Sequence, residues 1–235
     1  MDDSVRSMAT LYAQEFYPLA ELIVVGGSSA GVRRPRSDID LLVIGPAEMF
    51  REDAREAAHT DRFHGELFEV FACTPDVFHA HALAGVGRFR PVSAQMLVDG
   101  ATVLDTGQHN ELVSVVRSLI AAGPKPSPAE LAQRRYSVTT TLDDLLDAVD
   151  SMERTVLAAT LFQRLGEFLL LANGRWIGSG RWLLRRLLQW DESFTQQLGT
   201  AFATTDVVTL ERLTLEALEP YGGRLMEGHR HGEPR

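Results

Sequence analysis

Asp38 and Asp40 stand two residues apart in Ser37-Asp38-Ile39-Asp40-Leu41-Leu42-Val43-Ile44, a stretch whose apolar residues read as a β-strand. Side chains at i and i+2 of a strand point to the same side, so this spacing presents two carboxylates on one face. Charges held that close repel unless a cation sits between them. A hard divalent ion, above all Mg²⁺ bound to substrate phosphates, is the natural solution. Upstream, the apolar run Leu22-Ile23-Val24-Val25 stops at Gly26-Gly27-Ser28-Ser29. The glycines let backbone N–H groups approach an anion, and Ser28, Ser29 and Ser37 add hydroxyl donors. A phosphate-gripping turn beside a carboxylate pair is the apparatus of phosphoryl or nucleotidyl transfer. Each feature alone has a plainer use: glycine serves any tight turn, and Asp-x-Asp suits a solvated strand edge backed by Ile39, Leu41 and Val43. Order and spacing together point to chemistry. No Gly-Lys-Ser/Thr follows the glycines, which excludes a Walker A loop, and a strand follows where a dinucleotide-binding turn would open a helix.

The pair needs a sheet to hold it, and the first half of the chain supplies one. Strands are expected at Leu22–Val25, 38–44, Glu66–Cys73 and, more briefly, Ala101–Asp105. Helices are expected at 4–19, 47–59, after Thr74-Pro75, and around 111–122. Three prolines in Gly123-Pro124-Lys125-Pro126-Ser127-Pro128 then forbid a continuous helix and make a stiff connector. Beyond it five segments carry helical apolar spacing: 129–150, 152–172, Arg181–Trp190, 192–202 and Val207–Leu218. The expected architecture is α+β. A small mixed-sheet head (1–122) is joined by a Pro-rich connector (123–128) to an all-α bundle (129–227), with a frayed polar tail (228–235).

At 235 residues the chain suits one large domain or two small ones, and 45% hydrophobic against 23% charged residues is ordinary globular composition. The net charge of −9 disfavours non-specific nucleic-acid binding, which needs Lys and Arg to displace counterions. The head holds most of that charge, with 17 acids against 10 bases, compared with 15 against 13 after residue 122. One cysteine, Cys73, excludes an internal disulfide and a cysteine-rich zinc site. The acidic start Met1-Asp2-Asp3 lacks the basic flank of a signal peptide, and no apolar run approaches a membrane span. The expectation is a cytoplasmic protein with no membrane partner.

Gly26-Gly27, a spacer of ten residues and Asp38-Ile39-Asp40 resemble the signature of the DNA polymerase β-type nucleotidyltransferase superfamily. The stretch from Ser37 to Val43 is similar to the form found in bacterial aminoglycoside adenylyltransferases and in short, minimal nucleotidyltransferases, while Arg134-Arg135-Tyr136 and Leu142-Asp143-Asp144-Leu145 resemble segments of uncharacterised two-domain nucleotidyltransferases. That family takes a third carboxylate from a later strand. Leu67-Phe68-Glu69-Val70-Phe71 resembles the segment that carries it in streptomycin/spectinomycin adenylyltransferases, which implies Glu69, with Glu66 in reserve. The resemblance implies ATP or another nucleoside triphosphate as donor and two Mg²⁺ ions on Asp38, Asp40 and Glu69. It places the phosphates on Gly26, Gly27, Ser28 and Ser37, and a small hydroxyl compound, an aminoglycoside among the candidates, as acceptor. Gly174-Arg175-Trp176-Ile177-Gly178-Ser179-Gly180-Arg181 is similar to a loop that reaches nucleotide phosphates in those enzymes, which implies Arg181. Short members of the family are nucleotide-binding antitoxin-like modules, and others modify RNA or protein. The covalent helical domain favours a self-contained enzyme.

Other residues have two readings each. Asp143 and Asp144 suit a general base or the polar face of a helix, and Arg134-Arg135-Tyr136 accompanies them in the resemblance. His79/His81 and His229/His231 have metal-ligand spacing without a carboxylate cluster in sequence. Cys73 suits a core position, and Trp176, Trp182 and Trp190 suit core packing better than ring stacking on a substrate. Arg33, Arg34 and Arg36 form a basic loop in an acidic chain, suited to a triphosphate or to offsetting neighbouring acids.

Overall fold

The structure, a computed structural model, describes residues 2–26 and 37–227. The chain divides into two units, Met1–Ala122 and Gly123–Arg235. In the first, helix α1 (Asp3–Phe16) starts where the Asp2 carboxylate accepts the Ser4 N–H at 2.8 Å, satisfying one of the free donors of the first turn. Strands β1 (Leu22–Val25), β2 (Ile39–Ile44), β3 (Glu56–Phe63), β4 (Glu66–Cys73) and β5 (Ala101–Asp105) form one sheet in the order β3-β4-β2-β1-β5. β2 and β4 are parallel and all other neighbours are antiparallel. Helices α2 (Pro75–Gly87), α3 (Val92–Asp99) and α4 (Asn110–Ala121) complete the unit.

The sheet is covered on both faces, which is why its central strands are apolar without alternation. Ile23, Val25, Ile39, Leu41, Val43, Phe68 and Val70 pack with Tyr12 and Ala9 of α1 on one side. Leu22, Val24, Leu42, Ile44 and Cys73 pack with Phe78, Ala94, Leu97 and Val116 of the other three helices on the opposite side. Tyr12, fully buried, stacks on Phe68 with 4.3 Å between ring centres and donates its hydroxyl proton to Asp61 at 2.9 Å. Burial first, and then the Asp61 carboxylate, raise the Tyr12 phenol above its ordinary value. The phenol is thus locked as a donor that ties α1 to β3.

Two elements differ from the sequence expectation. Residues 47–59 are not a helix: a single 3₁₀ turn, Ala47–Met49, is followed by the outer strand β3. β3 is largely exposed along its length, so it carries none of the apolar alternation that marks a half-buried strand. Its pairing with β4 is imposed by the two-residue turn between Phe63 and Glu66. There His64 (φ 47°) and Gly65 (φ 88°) both take the left-handed backbone that such a hairpin requires. Helix α3 was also not expected. It follows a tight corner at which Arg90 N–H reaches the Gly85 carbonyl at 2.9 Å.

The second unit is, among its described residues, all helix and connecting turns: α5 (Pro128–Asp147), α6 (Ser151–Ala172), α7 (Arg181–Trp190), α8 (Glu192–Ala203) and α9 (Val207–Leu218). Pro128 opens α5 with the Ser127 hydroxyl accepting the Glu130 N–H at 3.1 Å, and Asp150 caps α6 through Met152 and Glu153, both at 2.9 Å. α6 is long and apolar enough to cross a membrane. Its Leu161, Leu165, Phe168 and Leu169 are buried against Leu142, Leu198, Leu210 and Leu213 of the bundle.

Candidate functional site

β1 ends at Val25, and the N–H of the next residue, Gly26, donates to the Asp40 carbonyl at 2.9 Å, so Gly26 lies beside the second aspartate. A Cβ at Gly26 would lie 2.3 Å from Met96 Cγ of α3, which explains why the strand ends on the smallest residue. In the parallel pair β2–β4, Asp40 is in register with Glu69. Their side chains therefore emerge side by side on one face, the face that continues inward as Leu42 and Ile44. Asp38, two residues before Asp40, shares that side. One carboxylate oxygen from each of Asp38, Asp40 and Glu69 lies within 4.8 Å of the others, and all three residues are half-buried. Among the described residues this is the one group of three His, Cys, Asp or Glu side chains close enough to share an ion. Three hard, anionic oxygen donors at such separations fit a divalent cation of the Mg²⁺ type.

The remaining expected residues fall as follows. Glu66 lies three residues before Glu69 and so on the opposite face, opposite Phe63 at the hairpin end. Ser37 is half-buried and immediately precedes Asp38. Gly27, Ser28, Arg33, Arg34 and Arg36 lie outside the described residues, as do His229 and His231. Arg181 is the exposed first residue of α7 in the second unit, after Gly180 at φ 51°. Asp143 forms an ion pair with Arg224, and Asp144 is exposed on α5. Arg134 bridges Glu130 and Glu167 at 3.2 and 3.0 Å, an arrangement that ties α5 to α6. His81 pairs with Glu56 at 2.7 Å. Trp176 is buried and Trp190 meets Phe194 edge-on, whereas Trp182 is 40% exposed with the Arg185 guanidinium 4.7 Å over its ring. Thr60 of β3 stands opposite Glu69 and borders the carboxylates. Thr60 was not foreseen because 47–59 reads as a helix in sequence, which leaves no outer strand beside β4. The His64-Gly65 dipeptide just before the apolar run 66–73, whose glycine suits a hairpin turn, was the signal available.

Cys73 is buried at the end of β4, and desolvation, reinforced by Glu56 and Asp76, pushes its thiol from 9.0 up to about 12. In the native state at pH 8 it is expected to resist iodoacetamide and to react fully once urea unfolds the chain. Because the folded value lies above the unfolded one, the contribution to stability is complete below pH 9. It is lost as pH rises toward 12. The urea midpoint is therefore expected to fall between pH 8 and pH 10.5, and to fall less in Cys73→Ala; equal losses would contradict the assignment.

Residues 8–77, which span β1 to β4 and all three carboxylates, match the nucleotidyltransferase domain family. No curated protein matches the chain. It is similar to the crystal structure of a nucleotidyltransferase-like protein from Exiguobacterium sibiricum 255-15. The two are 12% identical with a TM-score of 0.44, over 91% of this chain and 75% of that one.

Proposed function

We propose that this chain, whose residues 8–77 match the nucleotidyltransferase domain family, is a polymerase β-type nucleotidyltransferase that moves AMP from ATP onto a hydroxyl of a small molecule. The observation that carries this reading is the cluster of Asp38, Asp40 and Glu69 oxygens within 4.8 Å, beside the strand that ends at Gly26. Asp38, Asp40 and Glu69 would hold two Mg²⁺ ions, which when bound supply charge neutralisation at the phosphates of the nucleotide. With the Gly26 N–H held by the Asp40 carbonyl, the Gly27 N–H and the Ser28 and Ser37 hydroxyls orient the triphosphate. The acceptor oxygen forms a bond to the α-phosphorus. The bond from that phosphorus to the bridging oxygen breaks, and pyrophosphate leaves with the electron pair. Glu69, which stands in register with Asp40, either completes the metal site or, left unligated, takes the hydroxyl proton.

Incubation with α-labelled ATP, MgCl₂ and a fractionated set of hydroxyl compounds tests the reading. Transfer of label to a small product with equimolar pyrophosphate is expected. Label found solely on protein or RNA, or no turnover with any fraction, would overturn it.

A further inference from the structure

On the face of the sheet that carries the carboxylates, a cavity of about 740 Å³ opens against β2, β3 and β4, within the range of small-molecule sites. Strand register gives its position. Asp40, Glu69 and Thr60 form one row across the three strands; Leu42, Phe71 and Ala58 form the next on the same face. Two residues of strand separate the rows, about 7 Å. The cavity floor is that second row, so it begins where the carboxylates end. Phe71 is 41% exposed there, a large ring facing the space. The opposite wall is α2 and the corner into α3, which turns through Phe89 at φ 57°.

The charges on this wall run against those of the head. His81 and Glu56 compensate each other at 2.7 Å. Arg88 and Arg90, one on each side of Phe89, also line the cavity. Neither makes an ion pair or a side-chain hydrogen bond among the described residues. Two guanidiniums without a partner among the described residues, lining one cavity with an exposed aromatic ring in a unit whose net charge is negative, match a ligand with a flat apolar body and a terminal anion. A polycation finds no free carboxylate on this wall.

We propose that this cavity binds the acceptor, and that the acceptor is an amphipathic hydroxyl compound: an apolar ring on Phe71, an anion on Arg88 and Arg90, and its hydroxyl directed along the strands to Asp40 and Glu69. This rests on the transfer reading given above and names its substrate class. Carboxylate and phosphate share the chemistry that the two arginines recognise.

Titration with 4-hydroxyphenylacetate, followed by ligand-observed NMR and calorimetry, tests the cavity without turnover. Saturable binding to the wild-type chain is expected. The double variant Arg88→Gln/Arg90→Gln is expected to weaken it by at least about tenfold, since hydrogen bonds to a charged group are lost. Ala58→Trp, at an exposed strand position, is expected to fill the floor and abolish binding with the circular dichroism spectrum unchanged. The neutral 4-hydroxyphenethyl alcohol is expected to bind more weakly and to ignore the arginine changes. Phenyl phosphate in place of the acid identifies which anion the pair prefers. Equal affinity for acid and alcohol, affinity unchanged in the variants, no binding of either anion, or displacement of the probe by Mg-ATP would overturn the proposal. A wild-type chain that binds the probe yet transfers no label defeats the transfer reading alone. A chain that transfers label at rates indifferent to Arg88, Arg90 and Ala58 defeats the cavity alone.

Discussion

Asp40→Asn is expected to lower nucleotide turnover by on the order of 10³-fold or more, while the folded chain persists. The magnitude follows from removing one preorganised charge at the point where charge develops in the transition state. Asp40 lies at the centre of the cluster: it follows Asp38 on one strand and stands in register with Glu69 on the next. Its loss therefore thins the oxygen set from both sides. Asparagine keeps the volume and a carbonyl oxygen but not the charge, so the circular dichroism spectrum should be unchanged. Mg²⁺ should raise the wild-type melting temperature by mass action, and raise that of the variant much less. Glu66→Gln is the matched control, one strand and three residues away from the cluster pair but on the opposite face. It should retain near wild-type turnover. Equal losses in the two variants would mean that bulk charge, not the cluster, sets the rate.

Phe68→Ala is expected to destabilise the first unit by about 3–5 kcal/mol, the scale for truncating a buried aromatic. Phe68 is fully buried, stacks on Tyr12 at 4.3 Å and meets Phe63 nearly at right angles, with 6.2 Å between ring centres. Aromatic pairing adds about 0.5–1.5 kcal/mol beyond the area removed from water. Typical domains hold only about 5–15 kcal/mol in total, so the loss takes a large part of the margin. The residue also immediately precedes Glu69, so turnover should fall with temperature well before it does in the wild type. Phe68→Leu, which retains most of the volume, should cost far less. Urea unfolding of the three proteins, followed by circular dichroism, checks the order. A loss below about 1 kcal/mol for the alanine variant would show that the sheet does not depend on this contact.

The carboxylate pair was legible because its physics is local. Alternation places Asp38 and Asp40 on one side of a strand whatever lies around it, and Gly26 marks where the preceding strand stops. Glu69 was not legible in that way. Nothing in Leu67-Phe68-Glu69-Val70 says that β4 will lie parallel to β2 with Glu69 opposite Asp40, since that register is set by tertiary pairing. Resemblance pointed to the residue, and the fold explains the choice over Glu66 by the side of the sheet each one faces. β3 and α3 escaped for opposite reasons. β3 has too little buried surface for its strand period to be written in apolar residues. α3 is a short helix whose limits are set by the corner at Gly85 and Arg90 rather than by capping side chains, since Pro91 supplies no side-chain cap. In the second unit each expected helix has its own apolar stripe, and there the periodicity of one segment at a time was enough.

β3 has a further consequence, one of colloidal behaviour. It is one of the two edge strands of the sheet, and its far backbone edge is a template onto which another chain could add a strand. Glu56, Asp61 and Arg62 along it make such an addition costly, because a second copy would bring like charges together or strip them of water. The polar surface that hides β3 from a periodicity argument is thus a guard on the sheet. Replacing those charges by β-branched residues would make the strand easier to recognise and the protein harder to keep in solution.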